Sequence, residues 1–417
     1  MCNKQTEICL KFYLSCLILF WTILGHSQVR SGTGDNPKDY LNTPPQEKKW
    51  YDQFSIRGYA QVRYNRLLET NSKLKCDQCD RSIGDGGGFF LRRLRIIFSG
   101  QLVNNVYFYI QPDFASSVSS TSLHFGQLRD AYFDVGLDKK NEFRFRIGQS
   151  KVPYGFENMQ SSQQRLPLDR NDALNSAVSN ERDMGVFFYW APEHKRKLLS
   201  SLVRDGLKGS GDYGVFGLGV YNGQTANKPE LNNAPHLIAR VSNPMRFGNQ
   251  IVEPGIQAYT GNTVIATDQI SKGTKFKADR SYADQRIAAT FVLYPKPFGI
   301  QSEYNIGRGP EFNTVTDSIH TGELHGGYIT ASYKMDRKHQ VYIPFLRYQS
   351  YTGGKKFETD ARKYIVKEFE LGLEMQFNPK FELVVMYTIS DRTFEDFTSQ
   401  QNRQKGNLLR LQAQMNF

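Results

Sequence analysis

The sequence predicts an all-β chain closed into a transmembrane antiparallel β-barrel of about sixteen strands, with long loops on one rim. Three observations carry that expectation: period-two alternation of apolar and polar residues in long segments, connections that alternate between short and long, and a single apolar run confined to the N-terminus. Composition agrees. Of 417 residues, 39% are hydrophobic and 23% charged, and the mean hydropathy of −0.54 excludes a helical membrane bundle, which needs repeated apolar runs of about 20 residues. An aromatic content of 13%, almost all Tyr and Phe, excludes a disordered chain, because disorder is aromatic-poor.

The N-terminus reads as an address. Lys4 and Lys11 precede the apolar run 12–24, and Gly25 and Ser27 stand shortly before Gln28 in the small-residue pattern of secretory cleavage. So short a run spans a bilayer poorly, which argues against a permanent anchor. Export with loss of residues 1–27 as a signal peptide is expected; it removes Lys4, Glu7 and Lys11, so the formal charge of +12 falls by one. It also removes Cys2, Cys9 and Cys16 and leaves Cys76 and Cys79. Cys76-Asp-Gln-Cys79 lacks the strand–helix setting of a redox pair and the second ligand pair of a zinc site. A small disulfide within an exposed loop is expected instead, with no metal and no cofactor. Residues 28–53, which contain Pro44-Pro45, form a polar lead-in.

From residue 54 to 417 one pattern repeats. Phe54, Ile56, Gly58, Ala60, Val62 and Tyr64 share one face of the first strand, and Ser55, Arg57, Tyr59, Gln61, Arg63 and Asn65 share the other. The last strand sets Leu409, Leu411, Ala413, Met415 and Phe417 against Leu408, Arg410, Gln412, Gln414 and Asn416. Helical spacing would scatter both sets, whereas a strand separates them. The strands fall near 54–65, 88–101, 105–115, 126–138, 142–151, 184–191, 213–222 and 236–247, then 251–262, 284–295, 298–307, 323–335, 339–351, 365–378, 380–391 and 406–417. Globular strands average about 5–6 residues, while tilted membrane strands need about 9–11, so these lengths favour the membrane.

Short turns follow strands 2, 4, 8, 10, 12 and 14, as at Leu102-Val-Asn-Asn105 and Asp138-Lys-Lys-Asn141, and long polar connections follow the odd-numbered strands. One rim is then tight and the other elaborate, as in outer-membrane barrels. The segment 192–212 breaks the rule by being long on the tight side, and the pattern gives no reason for it. A soluble sandwich or propeller also alternates, but it does not use such long strands, and no blade-length repeat is present. Closure pairs every backbone N–H and C=O, turns the apolar face to lipid and the polar face to water. About sixteen strands enclose more space than inward side chains fill, so a water-filled pore is expected.

In the second strand Leu94, Ile96 and Phe98 share a face, which turns Arg93 and Arg95 the other way; in the fifth, Phe143, Phe145 and Ile147 alternate with Arg144 and Arg146. Arg57 and Arg63 on the first strand, Arg240 on the eighth and Arg410 on the sixteenth join them. An arginine facing lipid at mid-depth costs roughly 2–4 kcal/mol, so energetics also directs these inward. Guanidinium forks match phosphate and carboxylate oxygens, and rows of them draw anions in. The competing expectation is that they pair with lumen carboxylates. Asp113, Asp130 and Asp134 are such partners, and Glu368, Glu370, Glu374 and Glu382 on strands 14 and 15 would set an acidic wall opposite a basic one. The longest connection, 152–183, carries Leu166, Leu168 and Leu174. It either lies outside as a lid or folds into the barrel, which would bring Lys151, Arg165, Arg170 and Arg182 to a constriction.

No catalytic signature is present: the 7 His are scattered, and neither HExxH, GxSxG nor a Gly-rich phosphate loop occurs. The pattern predicts a passive channel for small anions. An outer-membrane barrel enzyme and a channel without anion preference are the alternatives. Nucleic-acid binding is not expected of an exported chain whose basic residues alternate inside strands.

Leu91-Arg-Arg-Leu-Arg95 leading to Ser99-Gly100, Leu128-Arg-Asp-Ala-Tyr-Phe-Asp134, Arg146-Ile-Gly-Gln-Ser-Lys-Val-Pro-Tyr-Gly155, Arg182-Asp-Met-Gly185 and Tyr221-Asn-Gly223 together resemble the phosphate-selective porin O/P family. The resemblance runs over about residues 54–417. It implies a sixteen-stranded porin in outer-membrane lipid of a Gram-negative-type bacterium, a homotrimer with an inward-folded third long loop and an arginine-lined path for small anions such as phosphate. It also implies that Arg93, Arg95, Arg144 and Arg146 face the lumen and that Arg165 and Arg170 belong to the loop. Asn416-Phe417 resembles the terminal signal that such barrels present to their assembly machinery. The acidic strands 14 and 15 depart from the family pattern and count against strict phosphate selectivity.

Overall fold

The computed structural model describes residues 50–68, 88–115, 126–400 and 402–417. The expected signal peptide and most of the expected lead-in, and Cys76 and Cys79 with their expected disulfide, lie outside the described residues.

Sixteen antiparallel staves close into a barrel. In chain order they are β1 (Phe54–Leu68), β2 (Gly88–Val103), β3 (Val106–Asp113), β4 (Gln127–Gly136), β5 (Phe143–Lys151), β6 (Arg182–Trp190), β7 (Phe216–Tyr221) and β8 (His236–Ser242). There follow β9 (Gln250–Val264), β10 (Ser281–Leu293), β11 (Phe298–Asn313), β12 (Ser318–Tyr333), β13 (Gln340–Gly354), β14 (Lys363–Asn378), β15 (Phe381–Glu395) and β16 (Arg403–Asn416). A short piece, Met245–Phe247, continues β8 beyond Asn243-Pro244, where proline supplies no ladder donor. Met335–Arg337 continues β12 in the same way beyond Lys334. Each strand pairs with the next, and β16 returns to β1 with Asn416 opposite Tyr59 and Asn407 opposite Leu68. The seam ends on the terminal residue: Gly58 N–H donates to the Phe417 carbonyl at 2.8 Å and Phe417 N–H to the Gly58 carbonyl at 3.0 Å. A Cβ at position 58 would lie 2.6 Å from the Phe417 ring, so glycine is needed there.

The alternation places side chains as strand geometry requires. Ile56, Leu411, Met415 and Phe417 are exposed on the outer face, whereas Arg63, Asn65, Arg410 and Gln414 are buried inside. An outer band of exposed apolar residues is unfavourable in water and favourable in lipid.

The lumen differs from a simple water-filled cylinder. Part of its wall is apolar, with Ile238 on β8, Ala288 on β10, Ile343 and Phe345 on β13, and Val384 and Met386 on β15 all buried. The connection between β5 and β6 covers these residues. Leu166 and Leu168 pack on Ile343, Phe345, Val384 and Met386. Tyr154, Leu174, Ala177 and Val178 pack on Ile238 and Ala288, and Ala173 packs on Leu324, Tyr351 and Val366. Each fully buried leucine of this kind contributes about 1.5–3 kcal/mol, which is why so long a segment stays inside the barrel. Two short helices shape it, α1 (Phe156–Met159) and α2 (Asp172–Ala177), the second capped by the Asn171 side chain, which accepts from Leu174 N–H at 3.0 Å.

The long connection on the tight rim also has a physical account. It contains α3 (Glu193–Arg204), preceded by Pro192, which suits the start of a helix. Lys195, Arg196 and Lys197 form its charged part, while Leu199 and Leu202 turn inward. With Leu207 they pack on Phe156 of the inner loop and on Ile251, Val292 and Tyr294 of the wall. The segment thus folds back on the contents of the barrel.

Candidate functional site

The inner loop is clamped to the wall by charge as well as by apolar contact. Asp169 sits 3.2 Å from Arg63, 2.5 Å from Arg410 and 3.7 Å from Arg92. Burial alone would raise its pKa, but Arg63 and Arg410 hold the carboxyl well below the usual carboxylate range. Asp172 pairs with Arg392 at 2.8 Å and with Lys355. Glu157 meets Arg347 at 2.9 Å, Tyr154 donates to Asn305 at 2.7 Å, and Glu303 accepts the Phe156 N–H at 2.7 Å.

These clamps remove the acidic wall expected on β14 and β15. Glu368 pairs with Arg392 at 2.8 Å, Glu370 with Arg347 at 2.8 Å, and Glu374 with Lys208 of the tight-rim segment at 2.5 Å. Glu382 lies beside Glu374. Glu368, Glu370 and Glu374 thus each have a cation at ion-pair distance, which weakens the transverse field of acidic against basic wall.

On the other side of the lumen a cavity of about 580 Å³ remains. Strands β1–β6 contribute Arg57, Arg95, Tyr107, Tyr109, Asp130, Tyr132, Asp134, Arg144, Arg146, Lys151 and Arg182 to its lining; the inner loop contributes Met159, Ser161 and Gln164; the tight-rim segment contributes Arg196, Ser200, Asp212 and Tyr213. Its volume falls in the range of about 300–1,000 Å³ typical of small-molecule sites.

The sequence-predicted cations divide by partner. Arg95 pairs with Asp113 at 2.6 Å and donates to the Tyr59 hydroxyl at 2.9 Å. Arg146 makes two bonds to Asp134, at 2.7 and 2.8 Å, and its guanidinium is caged by the rings of Tyr132, Tyr213 and Tyr189 at 4.1, 5.2 and 5.4 Å. Arg144 meets Asp212 at 2.7 Å. Arg182 pairs with Asp130 at 2.8 Å and with Glu181. Arg63 serves the loop clamp and does not line the cavity. Arg165 and Arg170 meet Glu181 at 3.0 and 3.5 Å and belong to the body of the loop itself. Lys151 donates to the Met159 and Gln160 carbonyls at 3.2 and 2.5 Å and has no carboxylate at ion-pair distance among the described residues. Arg57 is exposed in the cavity and forms no ion pair among the described residues.

Arg93 donates to Gln61 at 2.8 Å and also has no carboxylate partner among the described residues; Arg92, Arg95 and Arg165 surround it. Its setting comes from a register shift. Gln61 opposes Arg93 but Val62 opposes Leu91, so Arg92 is the extra residue of a β-bulge and is re-aimed toward Asp169. Strict alternation cannot place two consecutive arginines inside; the bulge does.

Sequence reasoning missed the tyrosines, Arg196 and Asp212. Tyr107, Tyr109 and Tyr132 were readable, because they alternate with Phe108, Ile110 and Phe133. Asp212 and Arg196 lie in a segment without periodicity, and only the geometry brings them to the cavity.

The family profile described as phosphate-selective porin O and P matches residues 72–417. Among solved structures, the chain is similar to the outer membrane channel DcaP of Acinetobacter baumannii, with 14% identity, TM-score 0.53, and 87% of this chain and 97% of that one covered. It is similar also to OmpF of Salmonella typhi in complex with daunomycin, with 14% identity, TM-score 0.52, and 88% and 99% covered. At these identities the likeness is one of fold. Sequence comparison with curated proteins finds no match.

Proposed function

The chain belongs to the phosphate-selective porin O and P family and is an outer-membrane channel, and from that premise we propose that it passes small anionic solutes, phosphate or polyphosphate among them, by passive diffusion along the β1–β6 side of the lumen. One observation supports this reading above the rest: 7 cationic side chains line the cavity against 3 carboxylates. Of those cations, Arg57 and Lys151 have no carboxylate partner among the described residues, and Arg93 adds a third such charge nearby. Guanidinium groups stay charged, and inside a low-dielectric wall their field on a passing ion is screened less than at an open surface.

The test is a planar-bilayer reversal potential in a KCl gradient, repeated with phosphate. The purified barrel is expected to prefer anions, and substitution of Arg57, Arg93 and Lys151 by glutamine together to bring the ratio toward unity. Cation preference of the unmodified channel would overturn the reading. Assembly as a homotrimer, with Phe417 presented to the assembly machinery, belongs to the same proposal. Native mass spectrometry of the unheated protein should give three copies, and deletion of Phe417 should lower the folded yield; a folded monomer at full yield contradicts both.

A further inference from the structure

We propose that Asp212, on the connection between β6 and β7, is a specificity-determining residue: a fixed countercharge that the tight-rim segment inserts into the pore and that moderates its anion preference. The inference rests on the cavity being the permeation path. Arg144 donates to the Asp212 carboxylate at 2.8 Å and to the Asp212 carbonyl at 2.8 Å, and Arg196 donates from Nε to the same carboxylate at 2.8 Å. All three residues line the cavity. Asp134 answers Arg146 one for one, whereas Asp212 is shared by two cations, so this group keeps one net positive charge. Replacement by a neutral residue would double it.

The carboxylate is not the sole support of its segment, which makes its charge separable from the fold. Arg240 holds the Tyr213 and Gly214 carbonyls at 2.9 and 2.8 Å. Lys208 anchors the segment to Glu374 at 2.5 Å, and Leu199, Leu202 and Leu207 pack it on Phe156 and the wall. The side chain is ionised in all ordinary media: burial raises its pKa, but Arg144 and then Arg196 more than offset this and hold the carboxyl at about 2.

The experiment compares reversal potentials of the full-length barrel and its variants in a KCl gradient, each first shown to be folded by faster migration before heating. Asp212→Asn is expected to raise the anion-to-cation permeability ratio about threefold over the parent, as loss of one unit charge within several ångströms of the path implies. Asp212→Glu should keep the parental ratio. Ser200→Asp, which adds a carboxylate at an exposed cavity-lining position on α3, should lower the ratio by a similar factor and tests the idea even if Asp212→Asn fails to fold. An unchanged ratio in folded Asp212→Asn or in folded Ser200→Asp overturns the proposal. So does a rise in conductance equal for both ions, since that marks a displaced plug. The shift between parent and variant is read independently of the parent's own sign, so a cation-preferring parent would refute the anion-channel reading while a shift toward anions in Asp212→Asn would still support this one.

Discussion

Along β8–β16 and at Arg63 of β1 the inner wall is covered by the segment 152–181, whereas along β2–β6 and at Arg57 of β1 it faces a cavity of about 580 Å³. Both walls carry arginine at inward positions, yet the residue acts differently on each. In the covered half Arg347 lies between Glu157 and Glu370, and Arg392 between Asp172 and Glu368. The loop supplies one carboxylate of each set, and apolar contacts to Ile343, Phe345, Val384 and Met386 keep water away. In the open half the carboxylates come mainly from the strands and are fewer than the cations. An arginine is therefore a strut where the loop brings it a counter-ion and a source of field where the loop does not.

The sharpest way to break this contrast is to strike the clamp. Asp172→Ala strips a shared carboxylate from Arg392 and Lys355 and is expected to cost the docked loop about 3–5 kcal/mol. Single-channel conductance should rise severalfold, and protease should cut within 152–181 in folded barrels; unaltered conductance and resistance to protease would show that the loop is held by other means. A smaller effect is expected of Leu168→Ala, which empties part of the contact with Ile343 and Phe345 and should cost about 2–4 kcal/mol, seen as earlier protease cutting in a urea series. In the open half, Arg57→Gln should leave thermal stability within about 0.5 kcal/mol while lowering the anion ratio, because the side chain is exposed and unpaired among the described residues. A loss of several degrees in Tm would make Arg57 a strut after all.

The smallest expected effect concerns pH. Burial raises the carboxyls of Asp169, Asp172 and Glu181, but arginine and lysine neighbours lower them further, to well below the usual range. Groups depressed on folding stabilise the docked loop above their unfolded pKa and lose that contribution only as pH falls through the folded value. The hold of these three carboxylates on the loop should thus persist from pH 7 to about pH 4, near the ordinary carboxyl range, and fade only in stronger acid, read as protease cutting beside residues 169, 172 and 181. A step between pH 5 and 7 would assign the clamp to different groups.

The architecture was legible because the longer strands declare their two faces over ten or more residues, as Phe54 to Asn65 and Leu408 to Phe417 do. The inward side of Arg95, Arg144 and Arg146 was legible for the same local reason. Their partners were not. Arg63 and Arg57 look alike on β1, and only the arrival of Asp169 from a distant loop makes one a clamp and leaves the other in the cavity. Local periodicity also says nothing of the register shift at Arg92, nor of Asp212, which no repeat addresses. One unused signal was present: β13 and β15 place Ile343, Phe345, Val384 and Met386 on the side that should be polar, and such a wall needs an apolar cover.

Asp169 takes Arg63 from β1 and Arg410 from β16, the two strands whose pairing closes the cylinder. A carboxylate from mid-chain therefore straddles the seam from within, joined to residues 106 and 241 positions away. During assembly an unfinished cylinder offers the loop only one of those grips, and the second arrives with the last strand of the chain. Contacts of such sequence separation form late, so capture of the loop and closure of the wall are coupled in time. The same coupling runs in reverse: parting β1 from β16 takes from Asp169 one of its two grips.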